Sequence, residues 1–579
     1  MSTISPRALA NSPLLPSNQL TYRTLIAHIL ADDALPANKR EEVASGLRSF
    51  IKAVHLPLDT QVPPMPELRE LIASFTPAMT NMSPGRWRNI RGHLQFALAH
   101  AGLATVPRRY DIAPSPRWAA LLAPLEYGTR YKLSHIARYC TVQGIEPEQL
   151  DDTVMAQLLV NLRTHSLKAK PERLHRDAAV AWNRELVLNP NWPQHRLTVA
   201  NNRPTYSIPW ERFPASLRAD IDTWLVRLSG TDLRQRMARK PLRPASIKTR
   251  TRQLHEYLSA LVHEGVDPGT MLDLKHVVTP EMSRLGMMFF WKRAGDGPSV
   301  HAGQIVDMLT SIAQHYARLD QAALDDLRDL RRGVAVNQSG MTERNQTRLR
   351  PLEDQDRIED LALLPGLLAD EARRQGQPTR TLAVQMQTAT LIELLLFFPM
   401  RLKNLRHLRL DEHLIFGRRR DDLTIAIPSQ DVKNSMPLEA RLPESAGRLI
   451  NLYLTTYRPL LDNPDSPWLF SGQKPDTPKC AETLRQQVKS TLWKRCGLDF
   501  TPHTFRHAAG KIVLDLNPGA HGQVQRLLGH KRLSTTMQFY TGTERKAALA
   551  HYDAQIMQLR GEAGWGRSRN NRKGGGAWK

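Results

Sequence analysis

Cysteine is scarce: Cys140, Cys480 and Cys496 are the only thiols in 579 residues. Three scattered cysteines supply neither a disulfide framework nor a four-cysteine zinc site, and they fit a reducing compartment. Long apolar runs are missing too. The greasiest stretch, Leu391–Met400, is broken by Glu393 and stopped by Pro399, short of the roughly 18 apolar residues of a membrane helix, so it reads as a buried core helix. Met1–Leu20 is polar, punctuated by proline and without an apolar segment. The expectation is a cytoplasmic protein with no membrane partner. Negative charge is in deficit, with 56 Asp+Glu against 80 Lys+Arg, a net charge of +24 and a pI near 10.2. Hydrophobic residues make up 41 % of the chain beside 32 glycines, an ordinary globular level that excludes wholesale disorder. At roughly 100–200 residues per domain the length allows about three or four domains.

The positive surplus favours a polyanion as partner, because each phosphate neutralised releases condensed counterions. It is also uneven. Between Arg227 and Arg252 stand nine basic residues and a single acid, Asp232. A linker-like stretch, Arg328–Arg350, adds Arg331, Arg332, Arg344, Arg348 and Arg350, and the Gly- and Asn-rich tail from Trp565 to Lys579 carries five more cations. Any one basic run is as readily a solvated face; three of them bracketing folded segments point to nucleic acid.

Helical periodicity dominates the first 340 residues. Ile247, Leu254, Leu258 and Leu261 fall along one helix face after Ser246 as a plausible N-cap, and the segment stops at Gly265-Val266-Asp267-Pro268. The same phrase occurs 121 residues earlier, where Leu133, Ile136 and Cys140 lead into Gly144-Ile145-Glu146-Pro147. Two copies of one helical module are expected, over about 115–200 and 210–330. Residues 20–110, ending in Arg86-Trp87-Arg88-Asn89-Ile90-Arg91, are read as a helical region rather than as a third copy. From about Leu349 the character changes. Leu423, Ile425 and Ile427 alternate on one face, as do Met436, Leu438, Ala440 and Leu442, so a hairpin is expected with Ser429–Ser435 as its turn. Leu484, Val488 and Leu492 mark a helix that Gly497 caps; Thr501-Pro502 opens another; Gly529 closes a short helix ending Leu527-Leu528, and Ser534 starts the next.

Four phrases in this last region carry chemistry: Phe398-Pro399-Met400-Arg401-Leu402-Lys403-Asn404-Leu405, the hairpin residue Lys433, His503-Thr504-Phe505-Arg506-His507, and Leu528-Gly529-His530 followed ten residues later by Tyr540. In order and spacing they resemble the catalytic domain of the tyrosine recombinases, the phage-integrase family. That family's pattern is Arg, a hairpin Lys, His-x-x-Arg, Leu-Gly-His and then a Tyr. The resemblance covers 345–560 strongly and extends more weakly to 210–330, which looks like the family's helical core-binding domain. It implies a mainly α, multidomain chain with a small β-hairpin or sheet, that is, helical DNA-binding modules followed by an α+β catalytic domain. The expected division is 1–114 as an N-terminal helical region, 115–205 as a module resembling a core-binding domain and 206–330 as the core-binding domain. A basic linker, 331–350, the catalytic domain, 351–560, and a basic tail, 561–579, complete it. The resemblance assigns Arg401, Lys433, His503, Arg506, His530 and the nucleophile Tyr540 as catalytic residues. It implies double-stranded DNA as partner, a tetramer of the chain on DNA, with other recombinases of the same element as possible companions, and no cofactor. One position departs from the pattern: the residue three after Arg401, commonly acidic in the family, is Asn404.

The residues support these roles on physical grounds. Cleaving a phosphodiester without a metal needs cations against the nonbridging oxygens, and a guanidinium offers a fork of donors matched to phosphate. A phenol with a pKa near ~10 needs a neighbouring base and a positive field to act as a nucleophile. The departing oxygen must be protonated, and a lysine in a cationic pocket has a lowered pKa suited to that. Lys433 is preferred over Lys403 because a hairpin tip can reach into a groove, whereas Lys403 shares the helix that follows Arg401. His503 and His507 stand four apart, as in a zinc pair, but Thr504 occupies the position where the metalloprotease pattern needs Glu. Arg234, Arg236, Arg239, Lys240, Arg243, Lys248, Arg250, Arg252, Arg348 and Arg350 are the candidate DNA contacts. Beyond Tyr540, Glu544–Leu559 forms an amphipathic segment with Leu549, Tyr552 and Ile556 on one side. The sequence thus suggests a site-specific DNA recombinase or integrase of a mobile element. A type IB topoisomerase-like enzyme and a catalytically silent DNA-binding architectural protein are the alternatives.

Overall fold

The computed structural model describes residues 20–107, 111–199, 206–231, 241–336, 340–432 and 436–563. The chain divides into two compact units, one made of Met1–Ala200 with Gly340–Lys579, the other of Asn201–Ser339.

Within the first unit, two helical clusters come first along the chain. Helices α1 (Tyr22–Ala31), α2 (Ala37–Ala53), α3 (Met65–Ser74) and α4 (Pro84–His100) enclose Tyr22, Phe50, Trp87 and Leu94. Helices α5 (Pro116–Leu122), α6 (Tyr127–Gln143), α7 (Asp152–Thr164) and α8 (Pro171–Leu188) pack around Trp118, Trp182 and Trp192. Arg69 on α3 ties the two clusters together. Its Nη1 donates to the carbonyls of Leu162, Arg163 and Ser166 at 3.3, 2.8 and 2.7 Å, satisfying orphan acceptors at the end of α7.

The second unit carries α9 (Ala215–Ser229), α10 (Pro244–His263), α11 (Leu274–Val277), α12 (Pro280–Arg293), α13 (Val300–Ile312) and α14 (Gln321–Val334) around Leu254, Tyr257, Leu258 and Ile305. Ser246 is not the cap of α10. The helix begins at Pro244 with Arg243 as N-cap, because a proline in the first turn has its φ preset and no N–H to satisfy. The paired sequence phrases give the same local turn: Gly144 and Gly265 both take positive φ, and Pro147 and Pro268 each open a 3₁₀ turn. The helices that follow differ, 13 residues in α7 against 4 in α11. Part of the stretch 328–350 is helical. α14 carries Arg328, Arg331 and Arg332 to Val334, with Leu324 and Leu327 buried, and Arg331 Nε pairs with Asp307 at 2.5 Å.

The C-terminal part of the first unit comprises α15 (Glu343–Leu349), α16 (Gln355–Arg374), α17 (Arg380–Phe397), α18 (Leu402–Arg406), β1 (Leu414–Phe416), β2 (Leu423–Ile427), β3 (Leu438–Arg441), α19 (Glu444–Leu452), α20 (Ala481–Cys496), α21 (Pro502–Leu516), α22 (His521–Leu528) and α23 (Leu533–Ala563). The expected hairpin is β2–β3, with Ile425 opposite Ala440 and Ile427 opposite Leu438. A third antiparallel strand, β1, joins β2; at three residues it is too short to show an alternating pattern. Helix α17 is the core helix that the apolar run predicts, and burial pushes the Glu393 carboxyl up to about 7. Helix ends follow local chemistry: Thr501 forms a capping box with Thr504 ahead of α21, and Gly497 and Gly529 close α20 and α22 in the left-handed region. The helix expected to start at Ser534 is α23, which runs unbroken from Leu533 to Ala563 and carries position 540 in its interior.

Candidate active site

Arg401 sits at the N-cap of α18, immediately after the turn that ends α17. Phe398-Pro399 makes that turn: a proline two residues past the end of α17 cannot continue the helix. The guanidinium of Arg401 is half-buried, and burial lowers its pKa. Among the described residues it has no carboxylate partner. Asn404, on the next helical turn, supplies none either; its side chain is buried with Nδ2 unbonded.

Arg506 is the rivet of the site. It lies on α21 with 5 % exposure. Its Nη1 donates to the Pro399 carbonyl at 2.7 Å and its Nη2 to the Leu528 carbonyl at 2.5 Å. One side chain therefore fixes the loop that presents Arg401 against the helix end that presents His530. Gly529 makes the second half of this possible. At φ 58 it turns the chain out of α22, and a Cβ there would lie 3.2 Å from Leu438 Cδ2 at the start of β3. The base of the hairpin and the His530 turn are thus in contact.

His530 hydrogen-bonds through Nδ1 to Thr536 Oγ1 at 2.9 Å, and Thr536 is fully buried in α23. On the same helix the Phe539 ring lies 6.0 Å from that of His507. His503 and His507, one turn apart on α21, meet edge to face at 5.0 Å. These groups act on one another electrostatically. Desolvation and then the charges of Arg506 and Arg401 lower the pKa of His503, which remains open to solvent at its edge. The same causes bring His530 to about 4. Burial, followed by His503, Arg506 and His530, brings His507 to about 4. At neutral pH these imidazoles are uncharged beside two permanent cations, able to take up or relay a proton while the guanidiniums hold an anion.

The structure brings Arg401, His503, Arg506 and His530 together and adds His507. Sequence reading noted His507 only as half of a rejected zinc pair; its i+4 spacing from His503 was the available signal. The backbone at position 540 belongs to α23, one helical turn beyond Thr536, but the Tyr540 side chain lies outside the described residues, as does Lys433. Val432, just before it, is buried. Among the described residues no group of three or more His, Cys, Asp or Glu is placed to hold a metal ion.

Every one of the six sequence-predicted catalytic positions falls inside residues 367–546, the segment that matches the phage integrase family model. The likeness to the phage integrase family is confined to this segment. Three solved structures of recombinases are similar to the chain. The XerH site-specific recombinase in a pre-cleavage complex with its difH substrate shares 17 % identity over 50 % of this chain and 76 % of its own, with a TM-score of 0.31. XerH in a post-cleavage complex with palindromic difH shares 14 % over 60 % and 98 %, at 0.32. The XerA recombinase shares 16 % over 58 % and 98 %, at 0.24. No curated protein matches the chain.

The candidate DNA contacts fare unevenly. Arg234, Arg236, Arg239 and Lys240 lie outside the described residues. Arg243, Lys248 and Arg252 are exposed on α10, Arg252 paired with Glu256 at 3.0 Å. Arg250 is half-buried, with burial lowering its pKa and Nη1 3.3 Å from Gln253 Oε1. In the other unit Arg350 is exposed, whereas Arg348 is largely buried in an ion pair with Asp499 at 3.0 Å. Among the described residues no helix is long and apolar enough to cross a membrane.

Proposed function

We propose that the chain is a tyrosine site-specific recombinase that cuts and rejoins DNA strands through a 3′-phosphotyrosine, in the integration, excision or transposition of a mobile element. The observation that carries this is the double bridge of Arg506 to the Pro399 and Leu528 carbonyls, which ties the loop bearing Arg401 to the turn bearing His530. In the proposed step the Tyr540 oxygen attacks the scissile phosphorus, the new phosphotyrosine bond forms and the bond to the 5′ oxygen breaks. Arg401 and Arg506 neutralise the nonbridging oxygens, whose charge grows in the transition state. His503, uncharged at neutral pH, takes the phenolic proton; His530, oriented by Thr536, hydrogen-bonds a phosphate oxygen; Lys433 protonates the departing oxygen. The bond energy is kept in the ester, so a second 5′-hydroxyl reverses the step on a new strand without ATP. Double-stranded DNA is the partner, and a tetramer of the chain is the assembly within which strands change partners.

A suicide duplex nicked near the crossover tests the reading directly. Covalent adduct is expected with the native chain and background only with Tyr540→Phe, whose loss of one oxygen leaves folding and DNA affinity nearly unchanged. Arg506→Ala also abolishes capture, by removing phosphate stabilisation worth about 10²–10³ in rate together with the bridge. Adduct persisting in Tyr540→Phe, or mapped to Tyr552, overturns the assignment. Exchange between two labelled duplexes distinguishes a recombinase from an enzyme that only relaxes DNA.

A further inference from the structure

Far along the chain from the catalytic segment, α6 and the loop after α7 line a cavity of about 490 Å³, within the range of small-ligand pockets. Its inner wall is cationic. Arg138 is 5 % exposed, with Nη2 at 3.3 Å from His135 Nδ1 and 3.4 Å from Ser134 Oγ. Lys168 approaches from the loop, half-buried and without an ion pair among the described residues, and Arg130 lines the same wall. The charges crowd one another. Burial and then Arg138 lower the pKa of Lys168, while burial, Lys168 and Arg138 bring His135 to about 4. No aspartate or glutamate is among the described residues that line the cavity. Crowded cations in a partly desolvated wall are relieved by an anion, and Arg with Lys suits a phosphate.

The mouth is aromatic. Tyr127 and Tyr131, one turn apart on α6, are 69 % and 57 % exposed. Their rings stack at 6.4 Å and 26°, and Tyr131 meets His135 edge to face at 6.0 Å. A ladder of rings thus leads from solvent to the cations. Two exposed tyrosines beside a cationic wall offer a planar group the platform on which bases stack.

We propose that this cavity binds one nucleotide, its phosphate against Lys168 and Arg138 and its base against Tyr127 and Tyr131. A free mononucleotide and an unstacked nucleotide of a DNA strand present the same chemistry. The proposal does not depend on strand cleavage by the catalytic segment. Calorimetric titration of the full chain with 5′-dAMP at fixed ionic strength is expected to saturate, with inorganic phosphate binding more weakly. Lys168→Gln and Tyr131→Ala alter a half-buried and an exposed side chain, so the fold should survive both. Each is expected to weaken dAMP by about tenfold, with an unchanged melting curve. A short 5′-phosphorylated single strand that displaces dAMP identifies the occupant as part of a DNA strand; failure to displace it identifies a free mononucleotide. Absence of dAMP binding, affinity unchanged in both variants, or phosphate binding as tightly as dAMP overturns the proposal.

Discussion

Burial and charge push His507 in the same direction. Its side chain is 7 % exposed, and His503, Arg506 and His530 surround it, so protonation is opposed both by lost hydration and by like charge. Lys511, on the next turn of α21, is balanced by Asp515 at 2.5 Å. With the folded pKa near 4 against an ordinary 6.5, the unfolded chain binds the proton first as pH falls. Stability is therefore complete above about 6.5 and declines through the window down to about 4. His530 adds to the same window. His507→Phe should flatten the dependence: its melting temperature should fall less between pH 7.5 and pH 5 than that of the native chain, by a few degrees. Thermal unfolding at the two pH values measures this, and parallel curves for both proteins would remove His507 from the titration.

At the scale of elements, the glycine between α22 and His530 is a position where one methyl group disturbs the candidate site. Gly529→Ala places an L side chain at φ 58 and its Cβ 3.2 Å from Leu438 Cδ2, in a conformation that costs roughly 1–2 kcal/mol for residues with a Cβ. The expected outcome is a loss of about that size in denaturant unfolding, together with slower strand cleavage, because His530 and the Leu528 carbonyl held by Arg506 both hang on this turn. Cleavage at the native rate with native stability would show that the turn has slack. The same elements explain what the sequence disclosed. The ends of α20, α21 and α22 were legible since Gly497, Thr501-Pro502 and Gly529 act through their own backbone and immediate neighbours. The continuity of α23 was not. A glycine costs a helix only about 1 kcal/mol, and the helix continues past Gly542. In the run Arg328–Arg350 the cations have partners that a count of charges does not show; Asp325 and Asp307 take two of the arginines while Leu324 and Leu327 are buried. The Arg506 bridge had no signal at all, since both acceptors are main-chain carbonyls.

For the whole molecule, a net charge of +24 sets an expectation that local pairing modifies. Several arginines already face carboxylates, as Arg252 faces Glu256 and Arg331 faces Asp307. Exposed pairs of this kind contribute at most about 1 kcal/mol, so a phosphate can compete for the guanidinium. Arg348, enclosed with Asp499 at 14 % side-chain exposure, is held more firmly and is expected to serve the fold. The exposed cations Lys248 and Arg350 are left among the described candidates. Each phosphate neutralised contributes about −0.9 to the slope of log affinity against log salt. Six or more contacts would give a slope steeper than about −5, and a fall of at least about a thousandfold in affinity between about 50 and 200 mM salt. Lys248→Ala should reduce the slope by about 1 without changing the melting temperature, since its side chain is exposed on α10. Arg348→Ala should do the reverse, lowering stability while leaving the slope nearly intact. Filter-binding or anisotropy titrations over a salt series read all three. A native slope no steeper than about −2 would mean that the positive surplus does not face DNA.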